Sequence, residues 1–256
     1  MTLSVEQLSV SINDRPVLRD LTFALADGER LGVIGGSGSG KTLTALAVQG
    51  LLPRGATVSG RILLDGVDVL ALDDAELAKL RGDRVGMVFQ EPKTALNPLH
   101  RLGRQMTESL HLHYRLSRGQ RREAAEELAR RVGLDDSARM LRSYPHQVSG
   151  GQRQRAAIAA AIAANPTLLI ADEPTTALDV TVQQGVLRLF LELSETQGQA
   201  LLFISHDLAV VAEVAERVIV LDRGELVEEG RIEDILATPR HPVTRALIEA
   251  ADGRPA

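Results

Sequence analysis

Residues 35–42 read GGSGSGKT, and this octapeptide constrains the fold of the whole chain. It satisfies the pattern G-x-x-x-x-G-K-[ST] and lies between the apolar run LGVI, at 31–34, and a stretch with helical periodicity. Because glycine makes up about 7% of an average protein, the bare pattern arises by chance in about one chain in a hundred of this length. The strand before it and the helix after it make a chance match rarer still. The octapeptide therefore predicts a phosphate-binding loop in an α/β P-loop NTPase core.

The residues of this loop have separate expected roles. Glycines let successive backbone N–H groups curl round the phosphates, and the start of the following helix adds positive potential. We expect Lys41 to reach the β- and γ-phosphates and the Thr42 hydroxyl to ligate Mg²⁺. The predicted cofactors are therefore ATP and Mg²⁺. The loop residues predicted to bind the nucleotide are Gly35, Gly36, Ser37, Gly38, Ser39, Gly40, Lys41, Thr42 and Thr44.

Four short runs of wholly apolar residues predict strands that are buried on both faces of a parallel sheet. These runs are LGVI at 31–34, VGMVF at 85–89, LLIA at 168–171 and LLFI at 201–204. Ligands of open parallel sheets bind beyond the carboxyl ends of the strands. The residues that directly follow the runs are Gly35, Gln90, Asp172 with Glu173, and Ser205 with His206. We expect these strand ends to converge on one pocket.

The polar residues at the strand ends indicate a hydrolytic site. An acidic pair that ends a strand is, in isolation, more often simply solvated. Behind a phosphate loop, however, the metal needs a carboxylate and hydrolysis needs a group that orients and deprotonates water, so we assign Asp172 to Mg²⁺ and Glu173 to the water. Gln90 can contact both metal and water, and His206 can contact the γ-phosphate. The predicted catalytic residues are Glu173, His206, Gln90 and Lys41, and the predicted metal ligands are Thr42, Gln90 and Asp172.

The chain is expected to form a single domain with an insertion. The first thirty residues alternate apolar and polar positions, which predicts antiparallel strands flanking the mostly parallel sheet. After Gln90 the pattern becomes polar and helical, and Ser117 with Gln120 has the spacing of a capping box for a helix that runs to about Val132. The expected parts of the domain 1–256 are a nucleotide-binding α/β core, 1–90 and 150–256, and an inserted α-helical subdomain, 91–149.

A second glycine-rich element, VSGGQ, occupies residues 148–152. Ser149 can cap the helix that follows, but glycines are poor helix formers, so helix propensity does not explain Gly150 and Gly151. Bare backbone permits close approach to an anion. Since the phosphate loop already encloses one side of the nucleotide, we expect Ser149, Gly150, Gly151 and Gln152 to meet the γ-phosphate bound by another subunit.

Composition excludes several classes of function. The chain has no cysteine, which removes disulfides, thiolate metal sites and iron–sulfur ligation. A formal charge of −5 argues against a general polyanion binder, so no nucleic-acid partner is expected. The longest apolar run is about half of what a bilayer-spanning helix needs, and the amino terminus lacks a signal segment. We expect a soluble, unexported chain.

GGSGSGKT, Gln90, VSGGQ, LLIADE, TALD at 176–179 and His206, in this order and spacing, resemble the ATP-binding-cassette ATPases over nearly the whole chain. The resemblance implies that two cassettes pack head to tail around two ATP molecules, with Asp179 at the interface. It also implies that residues 91–149 dock on a membrane partner. Members of the family usually stack the adenine on an aromatic residue, whereas this register places Ile12 there, so aliphatic contact would replace stacking.

EPKTALNPLHRLG, at 91–103, and TPRHPVTRALIEA, at 238–250, resemble the ATPases of dipeptide, oligopeptide and nickel importers. The implied function is ATP hydrolysis coupled to uptake of peptides or nickel, at the cytoplasmic face of the membrane. Implied partners are a second cassette, identical or paralogous, two permease subunits and, indirectly, an extracytoplasmic solute-binding protein. The alternatives are a soluble cassette ATPase acting on nucleic acid or ribosomes, an exporter subunit, and a P-loop kinase.

Overall fold

The computed structural model describes residues 1–90, 95–176 and 178–251. Within them the chain forms two β-sheets and a set of helices. The smaller sheet is antiparallel, with the strand order β2-β1-β4-β5. Its strands are β1 Leu3–Ile12, β2 Arg15–Leu25, β4 Ala56–Leu64 and β5 Val67–Asp68. The predicted antiparallel N-terminal strands are confirmed, and they form a sheet of their own rather than the edge of the parallel one.

The larger sheet has the strand order β10-β9-β3-β8-β7-β6. Its strands are β3 Arg30–Gly35, β6 Val85–Val88, β7 Leu168–Asp172, β8 Ala200–Ile204, β9 Arg217–Asp222 and β10 Glu225–Arg231. The neighbouring pairs from β9 to β6 are parallel, and β10 pairs antiparallel with β9. The four apolar runs are confirmed as β3, β6, β7 and β8. Sequence reasoning missed β9, although RVIVLD at 217–222 is also largely apolar.

Strands β6, β7 and β8 of the larger sheet are buried on both faces, which explains why they are apolar almost throughout. In β8, Leu201 and Phe203 point into the core shared with the helices on one side. The alternate residues Ala200, Leu202 and Ile204 point into the core shared with the antiparallel sheet. A strand with period-two side chains and two buried faces has no position for a polar residue. Polar side chains are therefore displaced to the ends of the strands.

The region between β6 and β7 is helical wherever the structure describes it. The helices of the described chain are α1 Lys41–Val48, α2 Asp74–Leu80, α3 Leu102–Met106, α4 Glu108–His113, α5 Arg118–Arg131, α6 Ser137–Arg142, α7 Gly150–Ile162, α8 Val180–Gln197, α9 Leu208–Val214, α10 Ile232–Ala237 and α11 Pro242–Ala251. Residues 95–149 contain no strand. The inserted helical subdomain remains our proposal for this region; residues 91–94 of it lie outside the described chain.

The predicted capping box at the start of α5 is confirmed. The Ser117 hydroxyl accepts a hydrogen bond from the Gln120 backbone N–H at 3.3 Å, and the Gln120 side chain accepts one from the Ser117 N–H at 2.9 Å. The helix then runs to Arg131, with Val132 as its C-cap. Two orphan N–H groups at the helix start are satisfied in this way, which is what the Ser-x-x-Gln spacing indicates.

The two glycines at the start of α7 have different surroundings. A Cβ on Gly151 would lie 2.6 Å from Val182 Cγ1, on α8, whereas a Cβ on Gly150 would meet nothing within 4 Å. Close packing of α7 against α8 therefore requires a glycine at 151. At 150 the intrachain packing has no such requirement. Gly151 thus has a packing reason to lack a side chain, and the anion contact expected of both glycines stays a prediction.

We predict that Gly151→Ala destabilises the fold by about 1–3 kcal/mol, because the added methyl overpacks the α7–α8 contact. Gly150→Ala is the matched control and should be neutral or stabilising by up to about 1 kcal/mol, since alanine is the better helix former. Adding Val182→Ala to Gly151→Ala should recover part of the loss. Urea unfolding of the four proteins measures these free energies. Equal stability of the two glycine variants would contradict the packing account.

Candidate active site

The carboxyl ends of β6, β7 and β8 carry predicted polar residues, and these meet around one carboxylate. Gln90, after β6, donates from Nε2 to Glu173 Oε2 at 3.2 Å. His206, after β8, places Nδ1 3.1 Å from the same oxygen. Glu173 itself follows β7. The structure therefore brings three strand ends together at Glu173, as the adjacency of these strands in a parallel sheet requires.

The Glu173 carboxylate is held by a further residue that sequence reasoning missed. The Thr176 hydroxyl donates to Glu173 Oε2 at 2.9 Å, across a turn in which the Thr176 N–H donates to the Glu173 carbonyl at 3.2 Å. A hydroxyl three residues after a strand-ending carboxylate, with Pro174 between them, is the sequence signal that identifies this contact. Glu173 also has φ +45°, a left-handed conformation that a non-glycine residue adopts only when its surroundings enforce it.

Two neighbouring elements shape the phosphate loop. A Cβ on Gly35 would lie 2.3 Å from the carbonyl oxygen of Leu221, at the end of β9. Gly40 has φ +103°, and a Cβ there would lie 2.4 Å from Leu18 Cδ2, on β2. A side chain at either position would collide with the strand behind it. The loop is thus pressed against both sheets, while Ser37 and Gly38 are exposed at its rim.

Lys41 is folded back onto the phosphate loop. Its side-chain ammonium donates to the carbonyl oxygens of Gly35 at 2.8 Å and Gly36 at 2.9 Å. Burial lowers the pKa of Lys41 below its ordinary value, and the nearby Glu173 and Asp172 carboxylates oppose that effect. The cation therefore lies between the loop and the two strand-end carboxylates, within the space where a phosphate would bind.

Two other loop side chains are turned inward. The Thr44 hydroxyl donates to the Gly40 carbonyl at 3.0 Å and the residue is fully buried, so its side chain supports the first turn of α1 rather than reaching outward. Ser39 is also buried, and its hydroxyl has no hydrogen-bond partner among the described residues. Of the predicted loop contacts, Thr44 is therefore the one that the structure directs away from the site.

Asp172 provides a test of whether the site fits Mg²⁺. It is buried at the end of β7, and its Oδ1 has no hydrogen-bond partner in the described chain. Burial raises the pKa of Asp172, while the neighbouring Thr42 hydroxyl opposes the rise. A buried, unpartnered carboxylate oxygen beside a hydroxyl is a hard-oxygen donor set. Mg²⁺ is bound in proteins by one or two carboxylates together with substrate phosphates, so Asp172 and Thr42 fit this ion. The role of Gln90 as a metal ligand stays a prediction.

The second glycine-rich element forms the start of α7. The Ser149 hydroxyl accepts from the Gln152 N–H at 3.2 Å, and the Gln152 side chain accepts from the Ser149 N–H at 3.0 Å. Within the described residues no hydrogen bond joins this element to the phosphate loop. Asp179, which caps α8 through the Val182 N–H at 3.0 Å, is similarly engaged within its own chain. Ala177, inside the TALD segment, lies outside the described residues.

Ile12, the residue expected beside the adenine, is the last residue of β1. It pairs with Arg15 on β2 and with Ala56 on β4, and its side chain is partly exposed. The structure thus presents an aliphatic side chain at the end of the antiparallel sheet. The role of Ile12 remains a prediction.

Across the part of the chain that the structure describes, none of the helices combines the length and the apolarity needed to span a bilayer.

Known proteins match this chain closely. The family model described as ABC transporter matches residues 18–176. "Probable peptide ABC transporter ATP-binding protein y4tR" of Sinorhizobium fredii is 47% identical over 239 residues, which is 93% of this chain and 71% of that protein. "Oligopeptide transport ATP-binding protein OppD" of Bacillus subtilis is 43% identical over 96% of this chain and 70% of its own length. "Dipeptide transport ATP-binding protein DppD" of Haemophilus influenzae is 43% identical over 98% of this chain and 79% of its own length.

Solved structures match the fold. The dimeric structure of MJ0796, a bacterial ABC transporter cassette, superposes with a TM-score of 0.80 at 31% identity and covers 90% of this chain and 98% of that one. A post-hydrolysis state of the same cassette, bound to ADP and Pi, matches equally well. The phosphate loop, the strand-end carboxylates and these relationships lead to one conclusion: the chain belongs to the ABC transporter family and is an ATP-hydrolysing cassette of it.

Proposed function

We propose that this chain is the ATPase subunit of a peptide importer and that two cassettes, packed head to tail, hydrolyse ATP between them. The observation that carries the hydrolytic part is the meeting of Gln90, His206 and Thr176 on one oxygen of Glu173. A carboxylate fixed by three neighbours from three segments is oriented before any substrate arrives. Preorganisation of this kind is what positioning a water molecule demands.

The proposed roles follow from the geometry of the strand ends. Glu173 orients the attacking water and accepts its proton, and His206, which is exposed, lies where a γ-phosphate can contact it. Lys41 exchanges its two loop carbonyls for the β- and γ-phosphates. A hydrogen bond between an ammonium and a charged phosphate is stronger than one between an ammonium and a neutral carbonyl. The buried Lys41 side chain therefore favours nucleotide binding.

We assign Mg²⁺ to Thr42, Gln90 and Asp172. The ion would neutralise charge on the β- and γ-phosphate oxygens during transfer. Asp172 is proposed as its carboxylate, since this residue combines burial with an unpartnered oxygen. Gln90 would report the state of the site, because its amide is hydrogen-bonded to Glu173 and it lies where the proposed helical subdomain begins.

The binding site of the γ-phosphate would be completed by Ser149, Gly150, Gly151 and Gln152 of the partner cassette, and Gly151 also supports the element by packing on Val182. Gly150 is the open position, since a side chain there would meet nothing within 4 Å. The dimeric solved relative supports this arrangement, as does the absence of a hydrogen bond, within the described residues, between 149–152 and the phosphate loop of the same chain. We propose Asp179 at the same interface.

The peptide names of the relatives support a peptide cargo in preference to nickel. The proposed assembly contains two membrane permeases, docked on residues 91–149, and an extracytoplasmic binding protein, with this chain peripheral at the cytoplasmic face. An exporter subunit and a soluble cassette that acts on nucleic acid remain the competing readings. Relatives from Brucella species that are named as putative peptide import ATP-binding proteins disfavour the former. The net charge of −5 disfavours the latter.

Glu173→Gln is expected to lower ATP turnover by about a hundredfold or more while ATP affinity stays within about threefold of the native chain, because only the water-activating step is lost. Glu192→Gln, on the exposed side of α8, is the charge-matched control and should turn over normally. Steady-state phosphate release and nucleotide titration measure the two quantities. Near-native turnover of Glu173→Gln would reject Glu173 as the base.

A mixing experiment tests the shared site. Lys41→Ala and Ser149→Arg chains should each be inactive alone. A one-to-one mixture should regain about a quarter of the native rate, since half of the pairs are mixed and each of these has one intact site. In the control, the double variant Lys41→Ala/Ser149→Arg replaces the Lys41→Ala chain in the mixture. No pair of chains then has an intact site. A mixture that stays as inactive as this control would contradict head-to-tail pairing between copies of this chain.

Cargo is tested in proteoliposomes that contain this chain, its partner cassette and the two permeases. We expect ATP-dependent uptake of a radiolabelled oligopeptide presented with the binding protein, and no uptake when the native chain is replaced by Glu173→Gln. Nickel uptake is measured on the same vesicles. Transport of nickel without transport of peptide would overturn the cargo assignment while leaving the ATPase assignment intact.

A further inference from the structure

A groove of about 480 Å³ lies on the helical part of the chain, away from the phosphate loop. Helices α3 and α4 form one wall and the first half of α5 forms the other, with Ala125 and Leu141 among the apolar residues that line it. The charged and titratable residues along it are Arg101, Arg104, Glu108, His111, Arg118, Arg121 and Arg122. Five guanidinium groups thus border one cavity that contains a single carboxylate.

This basic groove contrasts with the charge of the whole chain. The formal net charge is −5, yet residues 95–149 contain ten arginines against six carboxylates. Positive charge is therefore concentrated on the helical region, and half of its arginines line the groove. Like charges that crowd together raise the free energy of the folded state unless an opposite charge is bound among them.

The ion pairs within the described chain leave part of this charge uncompensated. Arg104 lies 3.8 Å from Glu108, and Arg122 lies 2.9 Å from Glu126. Across the groove, Arg121 Nη1 contacts His111 Nδ1 at 3.3 Å, so its partner here is an imidazole rather than a carboxylate. Within residues 1–90, 95–176 and 178–251, neither Arg118 nor Arg121 forms an ion pair with a carboxylate. Both residues project from α5, one turn apart.

The chemistry of the groove indicates its ligand. Guanidinium forks match the oxygens of phosphate groups and bind them through paired N–H donors, and arginines on two walls can hold two phosphoryl groups at once. A volume of about 480 Å³ is in the range of small-molecule sites. A polynucleotide would extend beyond the groove onto a chain with a net charge of −5. We propose that this arginine groove binds a small soluble anion that carries two or more phosphoryl groups.

Fructose 1,6-bisphosphate is a suitable probe, because it carries two phosphoryl groups and fits the cavity. The chain is first saturated with Mg²⁺ and a non-hydrolysable ATP analogue, so that the phosphate loop is filled, and calorimetry then measures the added sugar phosphate. We expect saturable one-to-one binding that weakens as salt is raised. The double variant Arg118→Ala/Arg121→Ala should weaken it by about tenfold or more, since two charge-assisted contacts are lost.

Arg130→Ala/Arg139→Ala is the matched control, because it removes the same charge from the same helical region outside the groove and should change the affinity by less than about twofold. Arg118→Lys/Arg121→Lys keeps the charge but loses the forks, and should bind with intermediate affinity. Thermal unfolding checks that every variant is folded. Absence of saturable binding, or equal losses in the groove and control variants, would overturn the proposal.

A second assay distinguishes a soluble phosphate ligand from the phosphate of a lipid headgroup. The nucleotide-saturated chain is sedimented with vesicles of phosphatidylglycerol and phosphatidylcholine. The proposal expects no difference between the native chain and Arg118→Ala/Arg121→Ala in this assay. Groove-dependent binding to phosphatidylglycerol without binding of fructose 1,6-bisphosphate would replace the soluble ligand by a lipid headgroup and refute the proposal as stated.

Discussion

The burial of the larger sheet on both faces is the constraint on which the rest of the structure depends. Strands β3, β8, β7 and β6 lie side by side and parallel, and their side chains fill two cores, one against the helices and one against the antiparallel sheet. Since the strands have no face for polar groups, the chemistry of the chain is placed at their carboxyl ends. Parallel pairing brings these ends to one edge, and Glu173 lies there with a neighbour from each adjacent strand end.

Lys41 and Asp172, at this edge, form no ion pair within the described residues. Lys41 is bonded to carbonyl oxygens of its own loop, and Asp172 has a buried oxygen without a partner in the described chain. Buried polar groups in folded proteins are normally satisfied, and those that are not usually mark a site for an ion or a substrate. Glu173, by contrast, has three neighbours on one carboxylate oxygen and a left-handed backbone conformation. The edge therefore combines an oriented carboxylate with a buried carboxylate oxygen that has no partner in the described chain.

The two glycines of the VSGGQ element have different environments in the folded chain. Gly151 lies against Val182 on α8, close to Asp179, which caps that helix. Gly150 has open space around it. Helix α8 begins a few residues after Glu173, so the position of Ser149 and Gly150 is tied by direct packing to the segment that follows the carboxylate. Ser149 and Gln152 are the exposed residues of this element, and Gly150 between them is partly exposed.

The sequence by itself was enough for the phosphate loop, the four buried strands, the Ser117 capping box and the family. Each of these depends on local chemistry: glycine and lysine spacing, an unbroken apolar run, or a hydroxyl three residues before a glutamine. Tertiary structure alone decided that Gly151 packs on Val182 and that five arginines share one groove. These contacts join residues of separate helices, and their distances depend on how the chain folds back on itself, which no local pattern records.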